Sequence, residues 1–363
     1  MRNRGYVFLL SLSALMSSSA LFAMQIDEEH PVKSTITVSQ KATPQSMATT
    51  TKRDVYLMNI TLSAREKKRL SQPAISKKDS KQGNELPLKN GFDMAGMPVL
   101  DQGNHGSCVT FAVTGALDAL INKSDEVSQL CNLELGRYLK LRGYMLSGWN
   151  GTYGPVVIDQ IIRFGYVPKQ TQLTESCAGE TEYVLNDEEE IGAPMRLEEF
   201  KAKSQDISKV IFPIKLLSVQ ERFMGDDIQS YDPTTFLYRV KKALNQTAQT
   251  KSLVVVGILL PDSTNGPGPQ ASFHVDHDTW ALTADIDPEQ IVGGHEMIVT
   301  AYDDNAVAYD QSGKAHKGLL TLRNSWSDKN GDHGDYYMTY DFFTQFVMEA
   351  NQLVAFDNDI NNR

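Results

Sequence analysis

Cys108 sits in the run Asp101-Gln102-Gly103-Asn104-His105-Gly106-Ser107-Cys108-Val109-Thr110-Phe111-Ala112, and His295 follows Gly293-Gly294 far downstream. A thiol and an imidazole are the types needed for a nucleophile and its base. A thiol attacks as thiolate, so its pKa must be lowered. A helix N-terminus does part of this, because unpaired backbone amides there favour negative charge, and an imidazolium does more. Once the pair is ionised, the same imidazolium can protonate a leaving amine. The second ring nitrogen of His295 must also be held, and Asn324 in Arg323-Asn324-Ser325-Trp326 offers an amide oxygen for it. Trp326 is spaced to cover that bond from water. Attack on a carbonyl creates an oxyanion, for which Gln102 and the Cys108 backbone amide are donors. The chemistry these residues could perform together is acyl transfer.

Two kinds of element must position them. Phe111, Ala112, Ala116, Leu117, Leu120 and Ile121 recur at helical spacing, which puts Cys108 at the N-terminal end of a buried helix. A second helix is predicted from Asn132 as N-cap, a third from Pro155 or Val156 to Phe164 with Gly165 as its stop, and another from Asp232-Pro233 to Leu244. The period then changes. Leu253 to Leu260, Met297 to Ala301 and Leu319 to Leu322 are continuous apolar runs, and Tyr336 to Tyr340 alternates, as strands do. A helical N-terminal half and a sheet-rich C-terminal half predict an α+β protein of two lobes, with the site in the cleft between them. Residues 178–231 are acidic and irregular and read as an insertion with a short helix from Leu197 to Lys203. Asp187-Glu188-Glu189-Glu190 within it reads as a solvated loop rather than a metal site. Phe273-His274-Val275-Asp276-His277-Asp278 clusters imidazoles and carboxylates, but its spacing matches no helical ligand motif and it too reads as a solvated loop.

Residues 1–23 read as an export signal: Arg2 and Arg4, an apolar stretch from Tyr6 through Met16, then Ser17-Ser18-Ser19-Ala20-Leu21-Phe22-Ala23 with cleavage after Ala20 or Ala23. The apolar stretch is shorter than the ~20 residues of a spanning helix. The expectation is a secreted or periplasmic protein with no membrane association after signal removal. The chain carries 35 basic and 45 acidic residues, and loss of Arg2 and Arg4 takes its net charge from -10 to -12. No basic stripe is present, which argues against a nucleic-acid partner. Of three cysteines, Cys108 lies in the nucleophile motif, so Cys131 and Cys177 are the candidate disulfide in an oxidising compartment. Residues 24 to about 53 are polar and read as poorly ordered. Val55 to Leu62 reads as a strand, and a short helix to Leu70 opens on a capping box of Ser63 and Glu66. A polar linker, 76–85, follows. Residues 24–85 are therefore either a pro-segment or an N-terminal extension packed on a domain spanning 86–363.

Gln102 six residues before Cys108, the Gly106-Ser107-Cys108 turn, and Asn324-Ser325-Trp326 after Gly294-His295 resemble the papain-like cysteine peptidases. The resemblance covers about residues 86–343, in two strong blocks around a weakly matching middle. It implies a papain-like fold with a helical N-terminal lobe and an antiparallel, barrel-like C-terminal lobe. It further implies peptide or protein substrates, a monomer, and no cofactor or metal. Position by position, Gln102 resembles the oxyanion glutamine, Cys108 the nucleophile, His295 the base and Asn324 its orienter. Asn150-Gly151-Thr152 resembles the segment that pairs with the substrate backbone, and Gly294 would line the leaving-group side. The sequence departs from the family where His105 replaces a cysteine and Val109 an aromatic. The 187-residue separation of Cys108 and His295 also exceeds the ~130–150 expected. A papain-fold binding protein without turnover, or another Cys-His acyl-transfer enzyme such as an amidase or transglutaminase, would share parts of this pattern. Gln102 and Asn324-Ser325-Trp326 argue against the latter. Endo- and exopeptidase action stay open at this level.

Overall fold

The structure is a computed structural model and describes residues 24–40, 47, 49–72, 86–144, 146–185, 192–223, 232–245, 250–264 and 266–356. The predicted signal 1–23, the linker 76–85 and the acidic run 187–190 lie outside the described residues. In chain order the elements are β1 (Met24–Gln40), β2 (Thr49–Leu62), α1 (Ala64–Leu70), β3 (Lys89–Gly91), α2 (Cys108–Leu120), α3 (Gln129–Lys140), α4 (Gly154–Phe164), α5 (Lys169–Glu175), α6 (Leu197–Lys203), β4 (Ile211–Leu217), α7 (Val219–Phe223), α8 (Pro233–Ala243), β5 (Thr250–Asp262), β6 (Ala271–Ser272), β7 (Thr279–Trp280), β8 (Asp287–Asp310), β9 (Ala315–Arg323), β10 (Asp335–Thr339), α9 (Tyr340–Phe346) and β11 (Val347–Phe356). The fold is α+β.

The apolar runs became the middle of the sheet. Its path is β4-β11-β5-β8, after which β8-β6-β7-β10-β9 returns to β8, so the second half closes on itself like a barrel. Pairing is antiparallel except between β7 and β10. Gly293 to Thr300 of β8 is buried throughout, with β5 on one side and α2 packed across it. α2 itself is buried along almost its whole length because its small residues, Ala112, Gly115, Ala116 and Ala119, let it lie close to the sheet. No helix among the described residues is long and apolar enough to cross a membrane.

Several expectations are corrected. Residues 24–40 and 49–53 are not irregular. They belong to a long antiparallel β1–β2 hairpin, whose buried Ile36, Val55, Leu57 and Met58 supply the apolar contacts that its polar composition conceals. Ser63 makes no side-chain cap and Glu66 is buried rather than reaching back. α3 begins at Gln129, where Ser128 Oγ accepts from the Cys131 amide at 3.0 Å. Asn132 lies inside the helix and donates to the Ser128 carbonyl. The 178–231 segment is not a mere insertion, since β4 forms the edge of the main sheet against β11 with Ile211 and Leu217 buried. β10 ends at Thr339, whose hydroxyl caps α9 at the Phe342 amide.

The loop 273–278 exposes His274 and Asp276 to solvent, as expected, but it is anchored from within. Asp278 is fully buried and accepts from the amides of Phe273, His274 and Val275, each at 2.8 Å, and from Thr279 Oγ1 at 2.7 Å. Asp278→Ala strands three part-buried backbone donors and is expected to cost about 3 kcal/mol. A denaturant melt unchanged within about 1 kcal/mol would contradict this anchoring role.

Candidate active site

Cys108 is the first residue of α2, immediately after a turn in which Gly106 presses on Asn150. A Cβ at Gly106 would lie 3.0 Å from the Asn150 Cα, and the Gly106 amide donates to Asn150 Oδ1 at 3.2 Å. Crowding therefore fixes the turn that presents the thiol. The side chain is fully buried, and Sγ reaches the Gly106 carbonyl at 3.9 Å.

His295 stands on β8 opposite Ile258 of β5 and is likewise fully buried. Its Nε2 lies 2.7 Å from Asn324 Oδ1. Asn324 directly follows β9, where its amide donates to the Gly334 carbonyl and its Oδ1 also accepts from the Ser325 amide. An amide oxygen at this point requires Nε2 to carry the proton, which leaves the Nδ1 lone pair as the base. Nδ1 is buried without a hydrogen-bond partner among the described residues. The Trp326 ring stacks on the imidazole at 4.5 Å and 21°, backed by Trp280 and Tyr336. That sandwich keeps water off the His295–Asn324 bond.

Gln102 ties the two sequence blocks together. Its Oε1 accepts from Ser325 Oγ at 2.7 Å, its amide donates to the Ser325 carbonyl, and its Nε2 donates to the His105 carbonyl at 2.7 Å. The Gln102 donor expected to face the oxyanion is thus shared, and the carbonyl of Tyr56 from β2 lies 3.4 Å from the same nitrogen.

Burial decides the charge of the pair. Removal from water pushes the Cys108 thiol up to about 12, against weaker help from nearby amides. It pulls His295 down to about 4, against the opposing hydrogen bond of Asn324. Burial thus favours the neutral thiol and the neutral imidazole in this covered state.

The β1–β2 hairpin contributes to that burial. Met58 bridges to Gly294. A Cβ on Gly151 would lie 2.7 Å from Ile26 Cγ2 and 3.3 Å from Met58 Cγ, and one on Gly294 would collide with Ile60. Gly151 (φ 135°) and Gly294 thus leave room beside the chain, and the hairpin side chains Ile26, Met58 and Ile60 fill it. Thr152 is buried alongside, with Oγ1 unpartnered among the described residues. Glu28 of β1 accepts from the Ser147 amide at 2.7 Å and pairs with Lys140 at 3.1 Å. Arg53 of β2 pairs with Asp101 at 2.8 Å and donates to the Trp326 carbonyl.

Cys131 and Cys177 are joined, with Cα atoms 5.2 Å apart, leaving Cys108 as the free thiol. His105 packs its ring against Trp149 and Tyr183, and its Nε2 meets the Val184 carbonyl at 3.0 Å. Sequence reasoning missed Tyr183, whose hydroxyl donates to the Gln102 carbonyl at 2.9 Å and lies 2.9 Å from Ser107 Oγ. It also missed Ser325 as the partner of Gln102, although the residue stood inside a run already singled out. Nothing local marks Tyr183, which comes from a stretch remote from both blocks.

No protein-family model matches the sequence, and no curated protein matches it. Among solved structures, digestive procathepsin L 3 of Tenebrio molitor larval midgut is 17% identical, with a TM-score of 0.42 over 78% of this chain and 73% of the other. The proform of the ragweed pollen allergen Amb a 11, a cysteine protease, is 17% identical, with a TM-score of 0.45 over 75% and 67%. Xylellain, a cysteine protease from Xylella fastidiosa, is 18% identical, with a TM-score of 0.42 over 78% and 94%.

Proposed function

We propose that the chain is an exported papain-like cysteine endopeptidase, made as a zymogen whose residues 24–85 restrain it. The observation that carries this reading is the His295 arrangement. Asn324 takes Nε2, Trp326 shields the bond, and Nδ1 is left unpartnered for a thiol at the start of α2. In the uncovered site His295 takes the Cys108 proton, and Sγ attacks the scissile carbonyl. The oxyanion accepts from the Cys108 amide and Gln102 Nε2. The imidazolium then protonates the leaving amine, and water attacks the thioester with His295 as base. Gly151 and Gly294 would flank a substrate backbone where Ile26, Met58 and Ile60 now lie. The Tyr56 carbonyl near Gln102 stands where a substrate carbonyl would point.

The test is chain freed of residues 24 to about 85, treated with an epoxide inhibitor of papain-like enzymes. Cys108 is expected to be labelled, and the label to disappear in His295→Ala. No labelling and no peptide cleavage at any pH from acid to neutral would overturn the peptidase reading. Equal rates for the full and trimmed chains would remove the zymogen part alone.

A further inference from the structure

Glu296 follows the base on β8 and is fully buried, and neither of its carboxylate oxygens has a hydrogen-bond partner among the described residues. Across the sheet it is in register with Gly257 of β5, and Gly257 is in register with Glu349 of β11. The two carboxyl groups are thus lateral neighbours separated by a residue without a side chain. A Cβ on Gly257 would lie 2.7 Å from Glu296 Oε2 and 3.0 Å from Glu349 Cγ, so both side chains lean over the glycine. The start of α4 closes the space. A Cβ on Gly154 would lie 3.3 Å from Glu296 Oε1, 3.4 Å from Glu349 Oε1 and 2.9 Å from Asn351 Nδ2. The Gly154 amide donates to Glu349 Oε1 at 2.7 Å.

The groups facing the pair come from β11, α4, α2 and β5, while Arg323 of β9, which lines a small cavity with Glu296, is paired with Asp335 at 2.6 Å. β11 supplies Glu349 and Asn351, and α4 supplies the Gly154 amide, preceded by Tyr153, which feels the Glu349 charge. α2 supplies Cys108, on which the Glu296 amide and carboxylate both act, and β5 supplies Gly257. No lysine or arginine is among the groups acting on either carboxyl. Two buried carboxylates without a cation cannot both ionise at low cost.

We propose that Glu296 is a carboxylic acid at neutral pH, beside a Glu349 carboxylate that is anchored on the Gly154 amide, and that it acts as a positioning residue for Cys108. Burial raises Glu349 to about 7 against the opposing Gly154 hydrogen bond, and burial together with the Glu349 charge raises Glu296 well above its ordinary range, in support of this. The proton leaves Glu296 uncharged. Its loss creates a negative charge whose field opposes thiolate formation at Cys108, so the pair sets an upper pH bound on the reactivity of Cys108. The consequence for catalysis rests on the reading of Cys108 as nucleophile. The protonation itself does not.

Two measurements on the full chain test it. Infrared spectra of the chain at neutral pH, minus those of Glu296→Gln, are expected to show the carbonyl stretch of a buried protonated carboxyl, and the same band is expected in Cys108→Ala. Asp118, another buried acid with a raised pKa, cancels in the difference. Iodoacetamide labelling of Cys108, followed by mass spectrometry from pH 6 to about 10, is expected to rise more steeply in Glu296→Gln and to exceed the parent by about tenfold at the alkaline end. Opening of the hairpin enters both chains, so the comparison rests on the shape of the two curves. Should Glu296→Gln not fold, Glu349→Gln and titration of the band in the unaltered chain serve instead. No protonated-carboxyl band at neutral pH, or superimposable labelling profiles, overturns the proposal. The expected band and profiles without peptide cleavage would leave the pair standing and remove the peptidase reading.

Discussion

Cys108→Ala, in chain freed of its N-terminal segment, is expected to lower peptide hydrolysis by on the order of 10⁴-fold or more, and His295→Ala to cost nearly as much. The double variant should be scarcely worse than either single one. A nucleophile and its base act as one unit, so removing either leaves only what the oxyanion donors and substrate binding supply. Asn324→Ala belongs to a different class. It leaves both reacting atoms in place but frees the ring of His295, whose Nε2 is held at 2.7 Å, and removes the choice of tautomer that leaves Nδ1 as base. Its loss should be smaller than that of either reacting residue. Fold stability separates these losses from collapse. Cys108 is a small buried side chain, and its truncation to Ala should cost no more than about 1–2 kcal/mol. Steady-state rates on an unstructured peptide, read beside thermal melts, check all four variants. Activity in Cys108→Ala within tenfold of the parent would falsify the assignment of the nucleophile.

The placement of Cys108 at a helix start, and of Asn324 and Trp326 beside His295, was legible in the sequence because turn or strand signals beside each gave it an element. The helix bearing Cys108 was legible from its apolar spacing, and the sheet from three uninterrupted apolar runs that became β5, β8 and β9. The hairpin was not legible. Residues 24 to about 53 are polar and rich in Thr, Ser and Lys, and the surface the hairpin covers lies far away in sequence, so composition alone argued for disorder. For the same reason the neutral state of the Cys108–His295 pair could not be read. A pKa depends on what excludes water, and Ile26, Met58 and Ile60 lie more than forty residues upstream of the nucleophile motif. Glu296 sat next to the base in plain view, but its meaning required Gly257 and Glu349, which only sheet register brings beside it.

Acid should release the hairpin. In the covered chain His295 is held at about 4, against an ordinary value of 6.5, because it is out of water. Uncovering returns water to the site and lets the imidazole take a proton more readily. The uncovered form therefore binds more protons between pH 6.5 and 4, and falling pH favours it. Stability of the covered state contributed by neutral His295 is complete above 6.5 and is lost as pH falls through about 4. The ceiling is roughly 3 kcal/mol, or about 10²-fold in the opening equilibrium, reached only if the uncovered ring regains its ordinary pKa. Cys108 adds no slope in this window, because its ordinary value of 9.0 and its buried value of about 12 both lie above it. Glu28 opposes the trend just above its ordinary 4.5, since burial raises it in the docked hairpin while Lys140 and the Ser147 amide offset part of that rise. The upper half of the window is accordingly governed by His295. Amide hydrogen exchange of residues 24–62 in Cys108→Ala, corrected for intrinsic rates, should show protection falling steadily from pH 6.5 to 5. In Cys108→Ala combined with His295→Gln, which carries no titrating group at that position, protection should be flat over the same range. An identical slope in both chains would place the acid response elsewhere and leave the buried imidazole without a part in the release.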